Sequence, residues 1–412
     1  MSRTLFIAQR LGLSSDGRSS PLLRIAVVGI ALAMVIMILS FAIVTGFRNS
    51  ITDRIYALDA HIRIAMYQSP DSLRPQPLDS AQLSQLIDLS RYGTRTFAVT
   101  SRACVVKTDN DFKGLTLLGI AGDYPIDFIS RSVTEGALPD FSADSTANHI
   151  AISGATASQL GVKCGDRIYA YFVEDALRAR RLTIKAIFDT DFDDYDDAVA
   201  IGSRAMLNDL SGFASSQCSY IGIDIADPSS AREVSNQLLI DLQQAIDDQN
   251  LDARYSVSNI IDNYASYFTW LDILDTNIVI ILVLMAIVAG FALIAGLLII
   301  ILDHIPTIGM MKSVGATNAL LRRVYMFLGL RLLAKAMLIG NLLGFGLALL
   351  QYFTHAVPLD ADAYNMPFVP ISFDWTWIVE LNIGVVLVAY IAMIIPAHAI
   401  ARISPAETLR YE

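Results

Sequence analysis

Long apolar runs alternate with polar segments along this chain. Four runs are long enough to matter, and they cover residues 25–44, 278–302, 325–352 and 375–395. The first two contain no charged side chain. A helix rises 1.5 Å per residue, so about 20 apolar residues cross the roughly 30 Å hydrocarbon core of a bilayer. The pattern therefore predicts four transmembrane helices.

The first run also needs to be compared with a signal peptide. An apolar signal core has about 7–15 residues and is followed by a small-x-small cleavage site. The run at 25–44 is longer, and the sequence VTGFRNSITDRI that follows it continues a helix-like pattern. We therefore expect an uncleaved membrane anchor.

Lysine and arginine placement predicts the orientation, because cytoplasmic loops carry an excess of these residues. Residues 1–24 contain four arginines and one acid, and residues 303–324 contain Lys312, Arg322 and Arg323. Residues 354–376 contain no lysine or arginine and three aspartates. Both termini and the 303–324 segment are therefore predicted to be cytoplasmic, and the 48–271 insert extracytoplasmic.

The predicted fold class is a membrane protein with four transmembrane α-helices and a large mixed α/β extracytoplasmic domain inserted between the first and second helices. The predicted order is a cytoplasmic segment (1–23), helix one (24–47), the insert (48–271), helix two (274–302), a cytoplasmic helix and loop (303–324), helix three (325–353), a short outer loop (354–374), helix four (375–397) and a cytoplasmic tail (398–412).

Composition agrees with this class. The 412 residues are 54% hydrophobic and 17% charged, whereas a soluble domain carries about 25% charged residues. The mean hydropathy is +0.49. The insert contains 19 Lys and Arg against 30 Asp and Glu, a net charge of −11. Such an acidic domain argues against binding to nucleic acid or anionic lipid.

The insert has the pattern of a mixed α/β domain. Residues 181–188 (RLTIKAIF) alternate apolar and polar positions, which is typical of a half-buried strand. Similar strand candidates occur at 61–67, 97–106, 114–120, 149–153, 166–172, 198–203 and 220–226. Helical patterns occur at 78–92 and 228–247. We expect one α/β unit made from both ends of the insert, interrupted by a β-rich part at about 119–200.

Hydrolytic and metal chemistry has little support. The chain contains no HExxH or GxSxG motif, and its five histidines are scattered. The acidic run DTDFDDYDD at 189–197 begins like a calcium loop but lacks the Gly at position six and the Glu at position twelve. A solvated loop is the expected alternative. The three cysteines, Cys104, Cys164 and Cys218, are expected to be thiols, because an odd count argues against a disulfide framework. No catalytic or metal-binding residue is predicted.

The half-polar segment DHIPTIGMMKSVGAT at 303–317 lies between two predicted spans. Pro306 suits a first helical turn, Gly315 a helix end and Thr317 the cap of a following helix. Its apolar residues, Ile305, Ile308, Met311 and Val314, recur at a spacing of three. We expect a short amphipathic helix along the cytoplasmic membrane face. It is either a passive connector or a lever that docks into another protein.

Within this segment, IGMMKSVGAT resembles the IGILKALGA signature of the ABC permease family that includes the lipoprotein-releasing LolC and LolE proteins, the MacB efflux permeases and FtsX. In that family the segment is the coupling helix that contacts the ATPase subunit. His304 stands where the family usually has Lys or Arg. The resemblance implies ATPase-coupling roles for His304, Ile305, Pro306, Ile308, Gly309, Lys312, Gly315 and Ala316.

Other blocks extend the resemblance towards the lipoprotein-releasing branch. They are VTGFRNSITDRI, AHIRI, EGALPD, LGVKCGDRIYAY, IFDTDFDDYDDAVA and the terminal ISPAETLRYE. The resemblance implies a dimer, with a second copy or a LolC/LolE-like paralogue, on two ABC ATPase subunits. The chain has no GxxxxGK[ST] motif, so it is expected to hold no cofactor itself, with ATP and Mg on the ATPase.

In that branch a lipoprotein leaves the outer leaflet of the inner membrane for a LolA-like periplasmic carrier. Because soft side chains suit variable acyl chains, the candidates for lining a substrate cavity are Met34, Met37, Phe41 and Phe47, although ordinary packing or contact with membrane lipid explains them equally well. The alternatives are an FtsX-like permease that transmits motion without moving a substrate and a membrane anchor outside the ABC class.

The third predicted span contains two basic residues and a pair of glycines that need an interpretation. Arg331 and Lys335 lie four residues apart near its cytoplasmic end, where they either extend to lipid headgroups or face a subunit interface. The GNLLG sequence at 340–344 is a GxxxG pattern that allows close helix approach. We expect it to pack within one chain.

Overall fold

A computed structural model describes residues 21–68, 76–108, 111–173, 177–249, 251, 253–359 and 366–402. The chain divides into two compact units. The helical unit contains the residues before Ile51, Trp270–Pro358 and the residues from Phe368 onwards. The insert unit contains Ile51–Thr269 together with Leu359–Pro367.

The helices, in chain order, are α1 (Pro21–Leu58), α2 (Ser80–Leu86), α3 (Asp127–Arg131), α4 (Gly154–Leu160), α5 (Asp193–Ala198), α6 (Arg204–Ser211), α7 (Ala231–Asp248), α8 (Ile260–Asn263), α9 (Ala265–Asp303), α10 (Ile305–Ser313), α11 (Asn318–Thr354) and α12 (Trp375–Arg402). Short 3₁₀ turns occur at Leu89–Arg91, Asp144–Thr146 and Pro228–Ser230.

The strands are β1 (Ile62–Met66), β2 (Leu78–Asp79), β3 (Arg95–Lys107), β4 (Phe112–Ile120), β5 (Val133–Gly136), β6 (His149–Ser153), β7 (Arg167–Val173), β8 (Leu177–Phe188), β9 (Val199–Ser203), β10 (Gln217–Cys218), β11 (Tyr220–Asp224) and β12 (Tyr255–Asn259). Every strand candidate found in the sequence pattern coincides with one of these elements, which confirms the mixed α/β character of the insert.

Within the described residues, four helices are long and apolar enough to cross a membrane, namely α1, α9, α11 and α12. The predicted fold class is therefore confirmed. Three of these helices are much longer than a bilayer requires, with 38 residues in α1, 39 in α9 and 37 in α11. We call residues 45–58 of α1 and 265–277 of α9 the helix extensions, because they lie outside the uncharged runs. Each extension is about 20 Å long at 1.5 Å per residue.

Small residues allow close packing in the helical unit. A Cβ on Gly340 would lie 2.6 Å from Met34 Cβ, and one on Gly344 would lie 3.0 Å from Ile38 Cδ1. The GxxxG sequence of α11 therefore packs against α1 of the same chain, as predicted. Near the other end of α1, Arg48 forms ion pairs with Asp272 and Asp275 of α9.

Six strands of the insert unit form a closed ring, which we call the barrel. Pairing proceeds from β3 to β4, β9, β6, β8 and β7, and β7 pairs again with β3. Residues of β8 show the alternation predicted for residues 181–188, because Leu182 and Ile184 are buried while Arg181 is exposed. The buried residues form one hydrophobic core with apolar side chains of α4 and α6.

Strands from both ends of the insert form a second sheet, and β2 and β10 form a separate two-stranded pair. The strand β1 pairs with β11 and with β12, and β11 pairs with the first half of β3. The 13-residue β3 is thus shared by this sheet and the barrel. Because β3 and β4 are ring strands, the β-rich part begins before the residue 119 expected from the sequence.

Two further sequence expectations about the insert are wrong. The helix expected at 78–92 is divided into β2, α2 and a 3₁₀ turn. The division occurs because the Asp79 side chain accepts hydrogen bonds from the first turn of α2, and the Asp88 side chain accepts one from the Ser90 N–H. The acidic run at 189–197 is not a solvated loop, since Phe192, Tyr195 and Asp196 are buried.

The cysteines follow the expectation for thiols. None of the three forms a disulfide; Cys104 and Cys218 are buried and Cys164 is half-buried. Burial raises the pKa of the Cys104 and Cys218 thiols to about 12, so both are protonated and unreactive at neutral pH. Among the described residues, no group of three His, Cys, Asp or Glu side chains is arranged to hold a metal ion.

Candidate functional site

The segment expected to form a short helix between two spans does so. The helix α9 ends at Asp303, α10 covers Ile305–Ser313, and α11 begins at Asn318. We call α10 the corner helix. Gly315 has a φ of 99°, a left-handed conformation that L side chains rarely adopt, which ends the segment. Thr317 accepts a hydrogen bond at its side chain from the Leu320 N–H, at 3.3 Å, and caps α11.

His304 fixes the turn that enters the corner helix. Its Nδ1 lies 2.8 Å from the Ile300 carbonyl oxygen in the last turn of α9. Its own carbonyl oxygen accepts a hydrogen bond from the Ile308 N–H at 2.9 Å. The ring is half-buried. His304 therefore holds the local turn through its ring and its backbone carbonyl.

One face of the corner helix packs against its own chain. Ile308 is 1% exposed and Gly309 is buried. Ile308 belongs to an apolar cluster that joins α9 to the first turns of α11, and its other buried members are Ile301, Leu321, Val324, Tyr325 and Leu328. Burial also lowers the pKa of the half-buried Lys312 amine. This packing braces the corner helix.

The opposite face is apolar and exposed. Met310 is 62% exposed and Val314 is 85% exposed. Residues four apart lie on the same side of a helix, so these two side chains form one outward-facing pair, which we call the knob. Pro306 and Ser313 are exposed on the same side. A rigid helix with an exposed apolar pair has the form of a protein docking element.

The structure thus divides the sequence-predicted coupling residues. Ile308 and Gly309 face inward, Pro306 and Gly315 are exposed, and the half-buried members are His304, Ile305, Lys312 and Ala316. The sequence pattern placed Val314 on the same face as Ile308, which is wrong. Each residue advances 100° around the helix axis, so side chains three residues apart are offset by about 60° and a series of them moves round the helix. A spacing of four, as between Met310 and Val314, would have identified the knob.

Two buried polar atoms lie beside this cluster. Within the described part of the chain, the Tyr325 hydroxyl and the Arg322 Nε have no hydrogen-bond partner. Tyr325 is 1% exposed. Leaving a buried polar group unsatisfied costs free energy, so the first turns of α11 are not optimised for stability alone.

The four candidate residues for a substrate cavity lie in different surroundings within the described part of the helical unit. Met34 and Met37 are 0% and 1% exposed, in the core of the helical unit. The Phe41 ring stacks on Trp377 at a centroid distance of 3.9 Å. Phe41 lines a cavity of only about 10 Å³, and Phe47 is half-buried. Within one chain these side chains pack in the bundle, and their role towards a substrate stays a prediction.

A different stripe of α1 is exposed. Its members, which sequence reasoning did not single out, are Ile25, Val28, Leu32 and Ile36. They recur at three or four residues, which is one face of a helix. Arg331 and Lys335 of α11 are also exposed. These faces are available to lipid or to another chain.

Comparison with known protein families agrees with this architecture. Residues 24–239, more than half of the chain, match the model of a MacB-like periplasmic core domain. Residues 279–405 match the C-terminal domain of FtsX-like permeases, and this region contains the corner helix.

Relatives match over nearly the full chain. The lipoprotein-releasing system transmembrane protein LolE of Haemophilus influenzae is 22% identical over 94% of this chain and 93% of its own length. The corresponding LolC protein of Xylella fastidiosa (strain Temecula1) is 20% identical with the same coverage. The periplasmic region of MacB from Actinobacillus actinomycetemcomitans is 11% identical and covers 53% of this chain and 97% of its own, with a TM-score of 0.34.

The MacB-like match comes first in the chain and includes most of the insert. The FtsX-like match follows it and includes most of the last three spans. The LolE and LolC relatives align with this chain over 93% of their own length. The chain belongs to the family of ABC permeases that join a MacB-like periplasmic core domain to an FtsX-like permease domain.

Proposed function

We propose that this chain is the membrane-spanning subunit of a transporter that extracts lipoproteins from the outer leaflet of the bacterial inner membrane and passes them to a periplasmic carrier. ATP is hydrolysed by a separate subunit. Support comes from the LolC and LolE relatives, whose names state lipoprotein release and which match this chain over 94% of its length.

The observation that carries the proposal is the braced corner helix. Met310 and Val314 present apolar surface, while Ile308 fixes the helix to both α9 and α11. An ATPase subunit bound to the knob can therefore displace two spanning helices together. The chain has no GxxxxGK[ST] motif, so we assign ATP and Mg to the partner.

The proposal sets the orientation and the assembly. The corner helix and both termini lie in the cytoplasm and the insert unit in the periplasm, in agreement with the lysine and arginine distribution. Four helices enclose little space, so two permease chains, identical or paralogous, sit on two ATPase subunits. Each acyl CH₂ contributes about 0.8 kcal/mol to membrane binding. Extraction therefore requires another apolar surface, and the exposed stripe of α1 supplies one.

Docking at the knob is tested by charge. Met310→Glu and Val314→Glu in the full-length chain should weaken co-purification with the ATPase subunit. Central apolar interface residues contribute about 2 kcal/mol or more, which corresponds to roughly thirtyfold or more in Kd. Met310→Leu keeps an apolar side chain and should co-purify normally. If Met310→Glu and Val314→Glu bind the ATPase as tightly as the unaltered chain, the knob is not the docking element.

Lipoprotein release is tested by depletion of the chain followed by membrane fractionation. Lipoproteins destined for the outer membrane should accumulate in the inner membrane. A normal distribution would favour the alternative, an FtsX-like permease that transmits motion to periplasmic partners. A chain purified with neither an ATPase nor lipoproteins would favour a membrane anchor outside the ABC class.

A further inference from the structure

The acidic run at 189–197 is built into the insert unit, and we call it the acidic joint. It contains six aspartates, yet Phe192 is 1% exposed and Tyr195 and Asp196 are 5% and 4% exposed. Asp191 adopts a φ of 51°, and its N–H donates to the Asp189 carboxylate at 3.1 Å. The turn is therefore closely defined, unlike a solvated acidic loop.

One side of the acidic joint is attached to the barrel. The Asp196 carbonyl oxygen accepts hydrogen bonds from the Ser153 hydroxyl, at the end of β6, and from the Thr156 hydroxyl of α4 at 3.2 Å. Lys113 Nζ of β4 donates to the Asp197 carboxylate at 2.8 Å. Strands β4 and β6 are both members of the ring, so these contacts fix the joint to the barrel wall.

A second side of the joint holds the extension of α1. Arg54 Nη1 donates to the Asp191 carbonyl oxygen at 2.7 Å, and Nη2 donates to the Asp191 carboxylate at 3.2 Å. The Arg54 side chain is 18% exposed. Binding both the backbone and the carboxylate of one residue gives a guanidinium a defined direction.

A third side holds the extension of α9. The Tyr267 hydroxyl donates to the Asp194 carboxylate at 2.6 Å. The Phe192 ring lies 4.9 Å from the Tyr267 ring and 6.3 Å from the ring of Tyr264, the residue directly before α9, measured between centroids. These distances are typical of favourable aromatic pairs. Nine residues thus contact the ends of both long helices and the barrel.

We propose that the acidic joint is a positioning element that keeps the barrel attached to residues 51–58 of α1 and 265–269 of α9, all within the insert unit, and stays closed throughout the transport cycle. A single exposed ion pair would open easily. Opening this joint would break the Arg54 and Tyr267 bonds together and expose the Phe192 ring. Its consequence for transport rests on the proposed function, because a closed joint keeps the barrel and these helix ends together as one part of the insert unit.

The test compares loosened and locked joints in the full permease–ATPase complex in proteoliposomes. Phe192→Ala removes the aromatic contacts, and Arg54→Ala removes the bonds to Asp191. We expect each variant to hydrolyse ATP within about twofold of the unaltered complex and to lose on the order of tenfold in lipoprotein transfer, within the range of a typical coupling loss. Tyr267→Phe keeps the ring and loses one bond, so its loss should be smaller.

The locked joint carries Arg54→Cys and Asp191→Cys, joined by a short bismaleimide in a Cys164→Ser background. Cys104 and Cys218 are buried and should not react. If the joint stays closed, the cross-linked complex transfers lipoproteins at the unlinked rate. The charge swap of Arg54→Asp with Asp191→Arg should restore part of the transfer lost in Arg54→Ala. These two results separate a positioning role from a loss of folding.

Arg91→Ala is the matched control, since Arg91 forms an exposed ion pair with Asp88 elsewhere in the insert unit. It should leave transfer unchanged. A locked complex that loses transfer, or an Arg54→Ala complex that transfers normally, would overturn the proposal.

The joint can also be judged apart from transport. If the unaltered complex transfers no lipoprotein, the proposed function fails. Hydrogen exchange of residues 189–198 in the complex then decides whether the joint stays closed. Slow exchange that is the same with and without ATP supports a closed joint. Exchange that accelerates with ATP contradicts it.

Discussion

The Asp196 carboxyl group gives a sharp test of how burial acts on this domain. Its two oxygens accept hydrogen bonds from the Thr190 N–H and the Thr190 hydroxyl, both at 2.9 Å. Burial nevertheless raises the pKa of Asp196 from 3.8 to about 6, and the charges of Asp189 and Asp193 act in the same direction. The ionised carboxylate is therefore less stable in the folded chain than in water.

The sign of the effect follows from proton linkage. Between pH 4 and pH 6 the folded chain binds more protons at this group than the unfolded chain does, so the free energy of unfolding falls as pH rises. The contribution is fully present below about pH 4 and is lost above about pH 6. About two pKa units at 1.36 kcal/mol each give roughly 3 kcal/mol, which solvent screening reduces to about 1–3 kcal/mol.

Asp196→Asn removes the charge and keeps an amide oxygen for the Thr190 N–H. We expect this substitution to stabilise the full-length chain in detergent by about 1–3 kcal/mol at pH 8, and to lose that advantage at pH 4. For a domain of this size each kcal/mol shifts Tm by roughly 2–4 °C. The assay is the apparent Tm of both proteins measured across that pH range.

Asp197→Asn provides the matched control, because Asp197 is an exposed neighbour that pairs with Lys113. Loss of that pair should cost less than about 1 kcal/mol and give no crossover near pH 6. An Asp196→Asn protein that melts lower than the unaltered chain at pH 8 would refute the reasoning, since it would mean that the buried charge is compensated.

Two further predictions concern the helical unit. Gly340→Ala should destabilise the chain in detergent by about 1–3 kcal/mol, because the new Cβ would lie 2.6 Å from Met34 Cβ. The control is Gly346→Ala, whose Cβ meets no atom within 4 Å and which should be neutral or slightly stabilising. If the two variants melt at the same temperature, the close packing at Gly340 is contradicted. Tyr325→Phe should leave stability unchanged or raise it, because the buried hydroxyl has no partner among the described residues; a loss of more than about 1 kcal/mol in the same melting assay would mean that the hydroxyl is hydrogen-bonded.

The spans and the barrel strands were predictable because their signals are local. A run such as 278–302 needs no tertiary partner to be identified, since its length and lack of charge already match a bilayer. The alternation in 181–188 likewise identifies β8. The GxxxG sequence predicted a close approach, and the structure supplied the partner, Met34 of α1.

The candidate site was predictable in position but not in orientation. The corner helix follows from Pro306, Gly315 and Thr317, each of which acts within a few residues. Which side faces outward depends on packing against Leu321 and Val324, which follow the corner in the chain. Met310 and Val314 therefore became visible only in three dimensions.

By itself the sequence determined that the chain crosses a membrane four times and carries one acidic α/β insert, because hydropathy, charge and strand period are properties of neighbouring residues. Tertiary structure alone decided that six strands close into a barrel and that Phe192, Tyr195 and Asp196 of the aspartate run 189–197 are buried. Ring closure needs β7 to meet β3, about 60 residues earlier in the chain. Asp196 packs against Ser153 and Thr156, which precede it by 43 and 40 residues. Contacts over such separations leave no periodic signal in the residues that make them.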